Sequence, residues 1–468
     1  MNAQSFRAAD VGGRAFIAPA DLQMLDRLQR SAFDYFPRHS NAFTGLVADT
    51  SRPNAPASIA VVGFALSAYP VAVERGWIAR DDAVQRSLTT LRFFAGSDQS
   101  GALVSTGCHG FYFHFLDVET GLRAWQSELS SIDTALLIVG MLTAAAYFNN
   151  ATPGESELRR LANLLYDRVD WHWAQPENGD DAVALGWKPE SGFLNYGWQG
   201  YNEALLLYAL GMGSKTHPLT AASFEAWTVT YQWENLYGID FLYAGPLFVH
   251  QFSHAWIDFR GIRDAFMREK NCDYFENSRR AVQVQRQYAI RNPRGFTGYG
   301  QDCWGLSAGD GPSVEPQTVA GRRQTFYGYA ARGVPWGPDD GTINGACAVA
   351  SLVFAPEIAG PALRRMVGKA GPGTDVQTGV QTDVRAGSQA ARCVHASGFN
   401  HSAGANAAGD GTSGARTSWI SEGESGLDQG MIVLMIENFR SGLLWRLTRG
   451  IPCLRAGLKR AGFVGGWL

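Results

Sequence analysis

Twelve stretches of this chain repeat apolar residues at three- and four-residue spacing, and that recurrence constrains the fold more than any single motif. They are Ala20 to Phe36, Ala57 to Arg75, Asp82 to Ala95, Ser130 to Phe148, Ser156 to Val169, Tyr201 to Met212, Ala221 to Tyr231, His250 to Arg268, Tyr274 to Arg291, Asn344 to Phe354, Glu357 to Val367 and Leu427 to Arg440. Asp82 has N-cap chemistry, and Pro153, Pro218 and Pro356 stand at or just before helix starts, where a missing N–H is harmless. Thr134 to Phe148 is apolar nearly all round yet too short to cross a bilayer, so it reads as a core helix. Leu158 to Val169 keeps a polar face. Alternation of inner and outer helices predicts an all-α fold, an (α/α)6 toroid with long aromatic-rich loops at one end. Two separate all-α domains are the rival. One toroid over residues 20–447 accounts for nearly all of the chain, with 1–19 as an N-terminal lead and 448–468 as a C-terminal tail.

The connections between these helices are long and rich in Gly, Trp and Tyr: Gly101 to Arg123, Gly186 to Gly200, Asn292 to Pro316 and Thr325 to Gly345. Loops of that length inside a compact domain are usually functional. Seven of the 14 tryptophans (Trp187, Trp198, Trp227, Trp233, Trp256, Trp304 and Trp336) fall within this central region, which suits a groove that stacks on sugar rings. Charged residues make up 18% and the net charge is −3. Without a basic stripe a nucleic-acid partner is excluded, and a near-neutral chain suits an uncharged polysaccharide or oligosaccharide. The six cysteines show no metal-binding or disulfide-framework spacing and read as reduced thiols. Met1 to Phe16 has no apolar signal core, so the compartment stays open: periplasmic or secreted for a mature or truncated start, cytoplasmic otherwise.

Gly197-Trp198-Gln199-Gly200-Tyr201-Asn202-Glu203-Ala204 is a glycine-rich turn opening a helix, with Glu203 expected in its first turn. Glu203 is either a carboxylate answering the helix dipole or an acid on the floor of a sugar subsite. The second role requires a raised pKa, against the pull of a helix N-terminus. His250 and His254, one turn apart, could chelate a metal, but no third ligand is nearby, so no metal or other cofactor is expected. They bind sugar hydroxyls or are satisfied within a polar core. Asp258 and Arg260 beside Trp256 form a buried ion pair or face the cleft. Glu276 either pairs with Arg280 or turns to the cleft. Asp340, in Asp339-Asp340-Gly341-Thr342, caps a turn or contacts substrate. Asp133 and Asp428 each open an apolar helix, as charges at a helix start or as acids aimed into a common mouth.

These stretches carry a resemblance. GWQGYNEALLLYALGMGSKTHP, GPLFVHQFSHAWIDFRGIRD, DYFENSRRA, WGLSAGDGP, DDGTI, FAPEI, LDQGMIVLMIENFRSGLLW and, upstream, SSIDTALLIVGML are similar to the glucoamylase-like bacterial glycoside hydrolases, whose characterised members are the endo-β-1,2-glucanases of glycoside hydrolase family 144. The similarity runs from about Ala20 to Leu447. It implies an (α/α)6 fold and metal-free, endo-acting hydrolysis of β-1,2-glucan in an aromatic cleft. Glu203 matches the position of the general acid, and Asp428, ahead of Asp133 and Asp258, is the first choice for the base. The substrate-binding set is Trp198, Gln199, Tyr201, Asn202, His250, His254, Trp256, Asp258, Arg260, Trp304 and Asp340. Inversion is the expected stereochemistry.

Lys369 to Ser418 departs from the family pattern. It holds one aromatic, Phe399, in Gly-, Ala- and Arg-rich text, within a chain of 35 Arg against five Lys. It reads as a disordered replacement or as a stretch in a shifted frame. The alternatives are another glucan-active enzyme of this fold (a glucoamylase, a transglycosylase or a lyase) and a catalytically impaired glucan-binding protein.

Overall fold

The computed structural model describes residues 19–176, 181–296, 298–319, 322–368, 393–395 and 420–468. Apart from Cys393–His395, a short strand, the Lys369 to Ser418 segment lies outside the described residues. Fifteen α-helices occur among the described residues: α1 (Pro19–Phe33), α2 (Tyr35–Arg38), α3 (Ile59–Glu74), α4 (Arg80–Gly96), α5 (Ser131–Tyr147), α6 (Pro153–Arg168), α7 (Leu205–Gly213), α8 (Ala221–Thr228), α9 (Ala265–Glu269), α10 (Tyr274–Arg291), α11 (Gly345–Ala350), α12 (Pro356–Gly368), α13 (Gly426–Arg440), α14 (Leu443–Arg449) and α15 (Pro452–Arg460). The strands form only two- and three-stranded antiparallel pieces. No helix among the described residues is long and apolar enough to cross a membrane.

The helices divide as their patterns dictate. α3, α5 and α7 are buried on all sides over most of their length, and α13 nearly so, whereas α4, α6 and α10 bury one face. Helices buried this completely can approach until backbones touch, provided side chains leave room. α3 and α5 cross where Gly63 meets Gly140: a Cβ on Gly63 would lie 2.1 Å from the Leu136 carbonyl oxygen, and one on Gly140 would lie 2.1 Å from the Gly63 carbonyl oxygen. On the other side of α3, Gly430 of α13 lies flat against the Phe64 ring, 2.5 Å from where its own Cβ would be. α3 is thus clamped between the helices that carry Asp133 and Asp428.

Small sheets stand immediately ahead of the buried helices. Ala57–Ser58 pairs with Phe115–Leu116 before α3, Leu129–Ser130 pairs with Gly186–Lys188 before α5, and Thr342–Asn344 pairs with Cys393–His395 before α11. They tie the aromatic loops to the N-terminal ends of these helices.

Three expectations change. The run His250 to Arg268 is not one helix but 3-10 turns at Leu247–His250 and Ser253–Ala255 followed by α9. Asp258 breaks it by accepting from the Arg260 N–H and guanidinium, and Gly261 at φ +73° turns the chain away. Asp82 lies in the first turn of α4 rather than at its N-cap, which is Ala79. α7 begins at Leu205, so Glu203 precedes the helix instead of sitting in its first turn; Asn202 Oδ1 accepts from the Ala204 N–H at 3.0 Å and holds this segment in a turn. The C-terminal tail, 448–468, is itself helical and packed. α15 packs on α7 at a glycine (a Cβ on Gly457 would fall 1.7 Å from the Ala209 carbonyl oxygen), and Trp467 Nε1 donates to the Asp258 carbonyl at 2.6 Å.

Gly140→Ala is expected to destabilise the protein by about 1–3 kcal/mol through overpacking against a backbone that cannot yield. Gly96→Ala, at a helix end with open space around it, should leave stability within about 0.5 kcal/mol of wild type. Chemical denaturation of the two variants checks the contrast.

Candidate active site

Glu203, half-buried in the turn before α7, lies beside a network that fixes its backbone. Its carbonyl accepts from Ser253 Oγ at 3.1 Å, and the same hydroxyl accepts from the Leu206 N–H. Loss of water around the carboxyl, with Asp133 nearby, pushes its pKa up to about 7. Asp428, in the first turn of α13, also rises to about 7, through burial and the charges of Asp310 and Asp49. Asn344 Nδ2 holds both Asp428 oxygens at 3.1 Å. Asp133, in the first turn of α5, exchanges hydrogen bonds with its N-cap Ser130 and faces His114 Nε2 at 3.5 Å.

Three groups that the sequence reading passed over join these acids together. Asp49 is raised to about 6 by burial, with His114 opposing and Asp133 and Asp310 adding to the rise. Asp310 accepts from Arg52 and from Ser421 Oγ. His114 sits between Glu128 (Nδ1 to Oε1, 3.0 Å) and Asp133. Burial alone would lower its pKa, but Asp133, Glu128 and Asp49 outweigh it and raise it to about 9. Glu203, Asp133, Asp49, Asp310 and Asp428 thus form one chain of mutually sensing carboxyls at the starts of buried helices and the loops beside them. WGLSAGDGP contained Asp310, and the aromatic loop Gly101 to Arg123 contained His114, so both lay in text already marked. Asp49 carries no such signal.

The expected substrate-binding residues separate into two groups. Trp198, Tyr201 and Asn202 are half-buried and Gln199 is exposed, all in the turn that carries Glu203. Trp198 Nε1 donates to Ser131 Oγ at 2.8 Å, which places this turn against the start of α5, two residues from Asp133. The other group is inside. His250, His254, Trp256, Asp258, Trp304 and Asp340 are at most 1% exposed, leaving no face for a sugar. His250 Nε2 bonds the Ala244 carbonyl, His254 Nε2 bonds Ser278 Oγ, and burial lowers their pKa values to about 4 and about 3. Trp256 Nε1 donates to Ser67 Oγ. Asp258 pairs with Arg260 and Arg449, while Arg260 lies over the Trp445 ring at 4.6 Å. Asp340 takes a bidentate bond from buried Arg332 and accepts from the Thr342 N–H, an Asx-turn. Glu276 pairs with Arg280 at 3.0 Å. For His250, His254, Asp258, Glu276 and Asp340 the bonds are those of the structural alternative, while Trp256 and Trp304 belong to the apolar core. Among the described residues no group of three His, Cys, Asp or Glu could hold a metal ion.

The family model named Glycoamylase, described as "Putative glucoamylase", matches residues 195–452, the segment running from just before the Glu203 turn through α14 to the start of α15. The chain belongs to this glucoamylase-like family. It is 26% identical over 477 residues to an exo β-1,2-glucooligosaccharide sophorohydrolase (non-reducing end) of Parabacteroides distasonis, covering 94% of this chain and 58% of that protein. The chain therefore spans little more than half the length of this curated relative. An endo-β-1,2-glucanase from Chitinophaga pinensis, solved with sophorotriose and glucose, is 26% identical with TM-score 0.75, over 96% of this chain and 100% of that one. A β-1,2-glucanase from P. distasonis shares the fold at TM-score 0.77 and 23% identity, over 94% of this chain and 60% of that one.

Raised pKa values mean that the native protein holds more protons than the unfolded chain, so stability falls as pH rises. For Glu203 and Asp428 the fall runs from about 4, the unfolded carboxyl value, to about 7. The contribution of His114 is fully present below about 6.5 and is lost through about 9. Urea unfolding from pH 4 to 9 is expected to show both steps. Glu203→Gln should remove on the order of 1–2 kcal/mol of the lower step, and His114→Gln should flatten the upper one.

Proposed function

We propose that this chain is a glycoside hydrolase that cleaves β-1,2-glucan internally with inversion, on helices closed into an (α/α)6 toroid. The observation that carries the reading is the pair Glu203 and Asp428. Two carboxyls near pKa 7 in one acidic cluster are poised to hold and to accept a proton at neutral pH. Glu203, protonated, gives its proton towards the glycosidic oxygen. Asp428, ionised and oriented by Asn344, takes a proton from the water that attacks the anomeric carbon from the opposite face. Asp133, held by Ser130 and His114, shapes the field at Glu203 and stands behind Asp428 as the alternative base. Trp198, Gln199, Tyr201 and Asn202 line the sugar-facing turn.

The linkage rests on the two relatives at 26% identity, both named for β-1,2-glucan chemistry, and endo action on the likeness that covers the whole C. pinensis chain. A product mixture of many lengths early in the digestion of linear β-1,2-glucan is the expected result. A single small product from the outset would instead mark exo action. Proton NMR of the first products should show the α-anomer, and a crystal structure should place the two carboxyls roughly 6.5–9.5 Å apart. The β-anomer and a spacing near about 5 Å would overturn inversion.

Glu203→Gln is expected to lower kcat by roughly 10²–10⁴-fold while β-1,2-glucan binding persists. Asp428→Asn should do the same if it is the base. If Asp428→Asn retains activity and Asp133→Asn does not, the base passes to Asp133. With both pKa values near 7, kcat/KM should trace a bell centred close to pH 7.

A further inference from the structure

The loop 123–127 is built to hold one aromatic ring in water. Trp125 is 68% exposed, and both it and Gln126 adopt left-handed backbone conformations, at φ +54° and +51°. For side chains of this size that conformation is unfavourable, and two in succession persist only where neighbours enforce them. Arg123 does the enforcing. Its side chain is almost fully buried, its Nε donates to the Ser127 carbonyl at 2.6 Å and its Nη2 to the Gln126 carbonyl at 2.9 Å. Glu190, in the turn between the strands Gly186–Lys188 and Gly192–Phe193, grips the same guanidinium at 2.7 and 3.1 Å, and the Phe113 ring lies 4.6 Å from it.

The ring so displayed is not isolated. Trp125 rests against Phe115 at 5.1 Å, Phe115 stacks on His114 at 4.0 Å with an interplanar angle of 13°, and His114 contacts Asp133. Three rings in succession therefore lead outward from the carboxyl cluster to solvent. Exposure alone would not mark this indole, since Phe43, Tyr196 and Trp336 are exposed as well; what sets it apart is the enforced backbone and the ring-to-ring path to the acids. Its continuity with the acid cluster, and the fit of a flat π-face to the C–H face of a pyranose, identify the occupant as a glucosyl unit of the substrate chain.

We propose that Trp125 is a stacking subsite for a glucosyl unit remote from the scissile bond, clamped in place by Arg123 and reached along Phe115. The proposal deepens the glucanase reading and rests on it for the identity of the chain that is bound. Trp125 touches substrate only through its ring, so its loss changes binding and not the chemical step.

The test compares Trp125→Ala and Trp125→Phe with wild type on polymeric β-1,2-glucan and on β-1,2-linked trisaccharide. Trp125→Ala is expected to raise KM for the polymer roughly three- to tenfold, the range one aromatic stacking contact supplies. Its kcat should stay within about twofold and its values on the short substrate unchanged, while Trp125→Phe keeps most of the polymer affinity. An unchanged polymer KM in Trp125→Ala, or an equal loss on both substrates, overturns the subsite. Affinity electrophoresis in gels containing β-1,2-glucan, starch or laminarin separates this from failure of the function reading. If wild type cleaves no β-1,2-glucan, that reading falls; retardation of wild type but not of Trp125→Ala in any of the gels still upholds the platform. Equal migration of the two proteins in all three gels overturns it.

Discussion

The contact between α3 and its two neighbours sets where everything else can lie. Gly63 and Gly140 let α3 and α5 touch backbone to backbone, and Gly430 lets α13 close on Phe64 from the other side. A methyl group at any of the three would push a helix outward. Because α5 carries Asp133 at its first turn and α13 carries Asp428 at its own, the closeness of α3 to both fixes the spacing of the two acids. The strand Ala57–Ser58, leading into α3, pairs with Phe115–Leu116 and so brings His114 to Asp133. Packing in the apolar interior and proton chemistry at its rim are two ends of the same helices.

A cluster of carboxyls with little compensating cation works against folding, and the compensation it does have is placed unevenly. Arg52 answers Asp310, and His114 answers Asp133, Glu128 and Asp49. Glu203 has no ion pair among the described residues, and Asp428 has only the neutral amide of Asn344. Those are the two carboxyls that rise to about 7. Pairing either with arginine would stabilise the charged form and remove the proton that a general acid must hold. The buried arginine pairs are spent elsewhere, on Asp258, Asp340 and Glu437, where they brace turns and helix ends.

Periodicity located the long helices, since a face buried at 3.6-residue spacing is a local property of the sequence, but α14 and α15 lay beyond the last stretch it marked. α10 and the cores of α3 through α6 agree with the pattern to within a few residues. His250 to Arg268 failed for another reason: Asp258 captures Arg260 and Arg449, a tertiary event that periodicity does not register. Site residues were legible by type rather than by side. Histidines, tryptophans and acids in the central third looked like cleft chemistry, yet His250, His254, Trp256, Asp258, Trp304 and Asp340 face inward. A helix or turn of mixed polarity does not announce which polar groups will find partners inside. Glu203, Asp133 and Asp428 stood out as acids at or near the starts of apolar helices, which left a dipole-facing charge and a cleft acid equally open; the resemblance to the family, not their spacing, named them as candidates. Asp49 was invisible because its importance comes from residues distant in sequence, His114 and Asp133 on one side and Asp310 and Asp428 on the other.

That distance matters to how the site is assembled. Glu203 and Asp133 belong to the first half of the chain and Asp310 and Asp428 to the second, so no local folding event can unite them. The segment Asp49 to Arg52 forms the seam. The Asp49 carbonyl accepts from the Gly426 N–H at 2.8 Å, Ser51 N–H donates to the Glu424 carbonyl at 2.9 Å, and Thr50 bridges to Ser425. Arg52 then pairs with Asp310. Four consecutive residues thus fasten the start of α13 and the loop bearing Asp310 to the entrance of α3, and the carboxyl of Asp49 senses both halves of the cluster. Since each of these bonds spans more than 250 residues, the acidic chain is completed only when the last long helix closes onto the first buried one. The protonation behaviour of Asp428 is therefore a property of the closed fold, absent from either half alone.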